Sequence, residues 1–102
     1  MVSYYDWLVE FLQQLPQFRK ALETATNQQE RYFIERSIKD RERLLAQLPE
    51  LDRMIVEQMV INKVKAATIA AETGLKIREV QNRKDAALEQ LLYCRHGASY
   101  QP

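Results

Sequence analysis

Glycine is nearly absent from this chain: only Gly74 and Gly97 occur, alongside three prolines. A chain so poor in turn-forming residues cannot reverse often enough to build a sheet of short strands. β-Branched residues stand singly, so the period-two alternation of strands is missing too. An all-α fold is the expectation. Cysteine is equally scarce. Cys94 has no partner, which excludes a disulfide within the chain and fits a reducing cytoplasm. With one histidine, His96, there is no metal-ligand cluster, no Ser/His/Asp set and no phosphate-cradling glycine loop. Neither an enzyme nor a metal or cofactor protein is expected. Long apolar runs are also missing, and the N-terminus is acidic and aromatic rather than basic then apolar, so no membrane partner or export is expected. Charge of one sign is absent as well: the net charge is +1, so no global field marks a nucleic-acid partner, although a neutral total can hide a basic face.

What the 102 residues do contain is helical periodicity: 46% are hydrophobic and 28% charged. Tyr4, Trp7, Leu8, Phe11, Leu12, Leu15, Phe18 and Leu22 recur at three- and four-residue steps. Ser3 with Asp6 has the spacing of a helix start, and Pro16 interrupts the stripe. A first helix ending near Leu15 and a second over residues 17–25 fit this pattern, and so does one kinked helix. Asn27 and Glu30 have capping-box spacing and open a helix running to about Leu48, with Ile34, Ile38, Leu45 and Leu48 inward and Arg41 where an apolar residue is missing. Its many charges read as a solvated face, or as a docking or dimerisation arm. Pro49 stops that helix and opens the next, which starts with Glu50 and Asp52. A turn is placed at Asn62-Lys63; without it, residues 51–73 would form one long helix. Residues 94–102 read as a disordered tail.

Gly74 is the one glycine inside the patterned part of the chain. Around it Ile69 lies five residues before, Ala70 four before, Leu75 one after and Val80 six after. This is helix-turn-helix spacing: a small residue where two helices nearly touch, a glycine taking positive φ in the corner, and apolar residues pinning the second helix. That helix keeps an inner face of Val80, Ala87, Leu88 and Leu91 and turns Lys76, Ile77, Arg78, Gln81, Asn82, Lys84 and Asp85 elsewhere. Arg can pair with guanine, and Gln or Asn with adenine, in a major groove.

Residues 51–92, with Arg53 near their start, then Ile69-Ala70, Gly74-Leu75, Val80, Ala87-Leu88 and Leu91, resemble region four of bacterial sigma factors. They are especially similar to the small phage late-gene activators of the ArpU and RinA type. The resemblance implies an N-terminal helical arm (1–48) followed by a trihelical helix-turn-helix domain (49–93) that reads double-stranded DNA. It implies base contacts by Ile77, Arg78, Gln81 and Asn82. Phosphate contacts would fall to Lys63, Lys65, Lys76, Arg83 and Lys84, with residues 1–48 left to homodimerisation or to RNA polymerase. Three positions depart from the family pattern. Lys76 stands where Ser or Thr caps the recognition helix, Arg83 takes a position usually apolar, and no Ser or Thr caps the helix before Ile69.

The expected function is therefore a phage or prophage transcription regulator. Two alternatives stay open. One is a small terminase subunit, against which the C-terminal position of the helix-turn-helix counts. The other is a protein–protein module, which the near-neutral charge and an apolar Ile77 on the outer face favour. The N-terminal aromatics, Tyr4, Tyr5, Trp7, Phe11 and Phe18, suit core packing or a dimer interface.

Overall fold

A computed structural model describes residues 3–93 and is helical throughout, with no strand among the described residues. The expected tail at 94–102, with Cys94, His96 and Gly97, lies outside them. Six α-helices follow one another: α1 (Tyr4–Gln13), α2 (Leu15–Thr24), α3 (Gln28–Leu45), α4 (Glu50–Val56), α5 (Ala66–Thr73) and α6 (Ile77–Leu92). A π turn, Glu57–Ile61, continues α4. No helix among these residues is long and apolar enough to cross a membrane.

The caps explain most boundaries. Ser3 Oγ accepts the Asp6 N–H at 3.1 Å and starts α1. The chain breaks at Gln14, and Pro16 falls in the first turn of α2, where a missing N–H breaks no helical bond. Leu15 is therefore already helical, two residues ahead of the expected start. Asn27 Oδ1 accepts from Gln29 and Glu30, at 2.7 and 3.4 Å, and starts α3. That helix ends at Leu45 rather than near Leu48. Its last bonds tighten to the i→i−3 kind, from Gln47 to Leu44 and from Leu48 to Leu45, ahead of Pro49.

Residues 51–73 are two helices. The π turn closes with the Asn62 N–H on Glu57 O at 3.0 Å, and the Val64 N–H reaches Gln58 O at 2.7 Å. Lys63 between them has φ +58, a conformation that strains a residue carrying a Cβ. The wider π winding also brings Ile61 to the same side as Val56 and Val60, and all three are buried together.

Two apolar clusters result, and α4 and α6 belong to both. The larger joins Leu8, Leu12 and Leu15 to Ile34, Ile38 and Leu45, to Val56, Val60 and Ile61, and to Ala87, Leu88 and Leu91. The smaller holds Ile55, Ala66, Ile69, Ala70 and Val80, flanked by Leu51, Met54, Val64 and Leu75. Adjacent residues Ile55 and Val56 point into different clusters, so α4 is a wedge between them. Helix α1 packs on α6 and on the π turn, and α2 packs on α3. Leu8 and Leu12 thus share a core with Leu88 and Leu91, some 80 residues later.

Arg41 fills the gap in the α3 stripe and is only 6% exposed. Its Nε donates to Phe11 O at 2.7 Å, Nη1 to Ser37 O at 2.9 Å and Nη2 to the Gln14 side chain at 2.6 Å. The guanidinium lies 4.0 Å from the Phe11 ring centre and 4.5 Å from that of Phe18. Burial pushes its pKa below the usual arginine value, and Asp40 offsets this in part. The chemistry is complementary: Phe11 O lies in the last turn of α1, where the helix dipole favours a cation.

Candidate nucleic-acid interface

Helices α5 and α6 pack against each other and meet at Gly74. After Thr73 the chain must leave the α5 axis at once. Gly74 does so with φ +78 and ψ +2, its N–H closing on Ala70 O at 2.9 Å. A Cβ built there would meet nothing within 4 Å, so glycine is favoured by the left-handed backbone and not by a close neighbour. Thr73 locks the corner by donating its hydroxyl to Ile69 O at 2.8 Å and accepting the Leu75 N–H at 3.3 Å. Ile69 and Val80 are wholly buried, Ala70 is buried between them, and Leu75 packs against the same cluster.

Lys76 is the N-cap residue of α6. A lysine has no acceptor, so it cannot supply the usual cap to the first turn. Glu79 supplies the other half of a capping box, its carboxylate accepting the Lys76 N–H at 3.3 Å. The three-residue spacing of Lys76 and Glu79 is the sequence signal of that half of the box.

From that start, Ile77, Arg78, Gln81 and Asn82 are all exposed on the first turns of α6. Among the described residues, Arg78, Gln81 and Asn82 take part in no side-chain hydrogen bond or ion pair, so their recognition groups are unspent. Ile77 is 49% exposed. Lys63 and Lys65 lie in the connection before α5, and Lys76 and Arg78 lie just beyond its other end. All four are exposed and form no ion pair with a described residue. Between Lys63 and Lys84 the chain carries six cationic residues against two carboxylates, so the near-neutral total does conceal a local excess of positive charge.

Arg83 and Lys84 each lie beside a carboxylate. Arg83 donates Nη1 to Asp52 of α4 at 3.1 Å, with the Asp52 side chain only 20% exposed and that of Arg83 45%. At about 100° per residue, Arg83 lies roughly 170° around α6 from the middle of the Ile77, Arg78, Gln81 and Asn82 group. Lys84 falls in the inner row with Val80, Leu88 and Leu91. Its side chain is three-quarters buried and its Nζ lies 3.4 Å from Asp85. Asp85 in turn accepts a long hydrogen bond from the Tyr5 hydroxyl of α1 at 3.5 Å. The Arg83–Asp52 and Tyr5–Asp85 partners are 31 and 80 residues apart in the chain, and no local signal foretells them. Comparison with family models, with curated proteins and with solved structures gave no match.

Proposed function

We propose that the chain is a sequence-specific DNA-binding regulator of transcription that inserts the N-terminal turns of α6 into a major groove. In this reading α4, α5 and α6 act as a trihelical helix-turn-helix unit of the sigma region-four kind, as the sequence resemblance implies. The observation that carries it is the pairing of a glycine-cornered α5–α6 turn with an exposed, unpaired Arg78, Gln81 and Asn82 on the helix that follows. Helix α5, with eight residues, is about 12 Å long. Lys65 before it and Lys76 after it therefore suit phosphates on either side of a groove about 12 Å wide. Lys63, Lys65 and Lys76 provide affinity and Arg78, Gln81 and Asn82 provide specificity. Residues 1–48 serve as the surface for a second copy or for RNA polymerase.

The test is selection from random-sequence duplexes at two salt concentrations, with Arg78→Ala alongside. One enriched motif, weakened by salt and relaxed at a single base pair in Arg78→Ala, is the expected result. No enrichment at either concentration refutes it. The exposed Ile77 favours a second reading, in which the same helix docks on a protein. An apolar interface of that kind holds its affinity as salt rises, whereas a DNA complex does not.

A further inference from the structure

We propose that Arg83 is a positioning residue that fixes α6 against α4 through Asp52 and makes no contact with DNA. The inference rests on the DNA-binding reading above and assigns a different task to one residue that the spacing counts among the phosphate contacts.

The geometry supports it from three directions. Arg83 points to the side of α6 opposite Ile77, Arg78, Gln81 and Asn82. Its guanidinium is already committed to the mostly buried Asp52 carboxylate at 3.1 Å. Asp52 sits in the first turn of α4, and α4 and α6 make one of the main helix contacts of the fold. Val80 of α6, three residues before Arg83, is buried against Ile55 of α4, three residues after Asp52. The ion pair and that apolar contact are thus two points of attachment one helical turn apart on each helix. Two points define an orientation where one would leave a pivot. Arg78 and Asn82 share one face of α6, and the tilt of α6 on α4 sets the angle at which that face stands to α4 and α5, so the pair sets the geometry of the reading surface.

A phosphate ligand and a positioning residue differ in two measurable ways. Losing a phosphate contact lowers the slope of log affinity against log salt by about one, whereas losing a positioning residue leaves that slope as it was. A positioning pair also survives exchange of its two charges, and a phosphate contact does not. The experiment measures binding of the full chain to a duplex carrying the motif enriched by the selection above, across a salt series, for wild type, Arg83→Ala, Asp52→Ala, Asp52→Arg and the exchange Asp52→Arg/Arg83→Asp. Thermal unfolding of each protein accompanies it.

Arg83→Ala is expected to weaken binding about threefold to tenfold at unchanged salt slope, from a partly exposed pair worth up to about a factor of ten. The exchange is expected to return both affinity and melting temperature most of the way to wild type. Because an arginine in the first turn of α4 is itself unfavourable to the helix dipole, recovery in the exchange is judged against Asp52→Arg alone, which carries the same cost. A slope lowered by about one in Arg83→Ala, with no recovery in the exchange, would overturn the inference and leave the DNA reading standing. Affinity that rises in Asp52→Ala would overturn it too, since removing a carboxylate would then act only through the field. A wild-type chain that fails to bind duplex at low salt sinks the DNA reading and this inference together.

Discussion

Replacing Arg41 with methionine isolates what the guanidinium contributes, because methionine keeps most of the stem and fills the same slot among Ile34, Ile38 and Leu45. Two effects oppose each other. Bringing the charge into a site 6% exposed is unfavourable, as its lowered pKa indicates, and removing such a charge for an apolar residue is sometimes stabilising. Against this, the thioether cannot donate to Phe11 O, so the 2.7 Å bond from the guanidinium is lost. A hydrogen bond to a charged group contributes about 1.5–3 kcal/mol. The two ring contacts add about 0.5–1 kcal/mol each. Gln14 is exposed and turns to water, and Ser37 O lies inside a helix, so neither adds much. The balance is a loss of about 2 kcal/mol for Arg41→Met, and about 3–5 kcal/mol for Arg41→Ala, where packing goes as well. Arg41→Lys, keeping one donor and the charge, falls between wild type and methionine. Urea unfolding with a shared m-value measures the series, and 2 kcal/mol corresponds to a fall of about 10 °C in melting temperature for a chain this size. Methionine matching or exceeding wild type would refute the argument: it would mean that desolvation of the guanidinium outweighs everything it binds.

Gly74→Ala should cost only about 1–2 kcal/mol, the conformational penalty of φ +78 with free space around the new methyl, and a larger loss in denaturant unfolding would reveal a close contact. Lys63→Gly should gain up to about 1 kcal/mol by relieving φ +58, read as a higher melting temperature, and a loss would mean that the lysine stem packs. Trp7→Ala should lower stability, through its stacked contact with Phe11 at 5.1 Å, and leave the enriched DNA motif unchanged. A changed motif would contradict the separation of packing at α1 from base reading at α6.

Legibility from the sequence followed the range of the interaction. The Ser3 and Asn27 caps, the Gly74 corner and the break at residues 62–63 are each decided within about five residues, and spacing revealed them. The Pro16 boundary was less legible, since proline is disruptive inside a helix and harmless in its first turn, and the sequence does not say which turn it occupies. Arg41 was visible only as a gap in the stripe. Its reason is a carbonyl on another helix, 30 residues away. The same limit explains Arg83, whose partner Asp52 lies 31 residues away. Lys84, by contrast, was legible, since it falls four residues after Val80 and four before Leu88 in the inner row of α6.

The two clusters therefore carry a mechanical consequence. Helix α6 buries Val80 in the smaller cluster and Ala87, Leu88 and Leu91 in the larger one. It packs on α4 and α5, and on α1, which also packs on the π turn. Gln13 of α1 adds a long hydrogen bond to Val60 O at 3.4 Å, at the π turn itself. Anything that shifts α1 must then either strain the Leu8–Leu88 packing or move the far end of α6. Interiors packed at crystal-like density deform little before they rearrange, so a displacement of α1 is transmitted to α6 through the core that they share. The N-terminal half is in this sense the seat on which α6 rests.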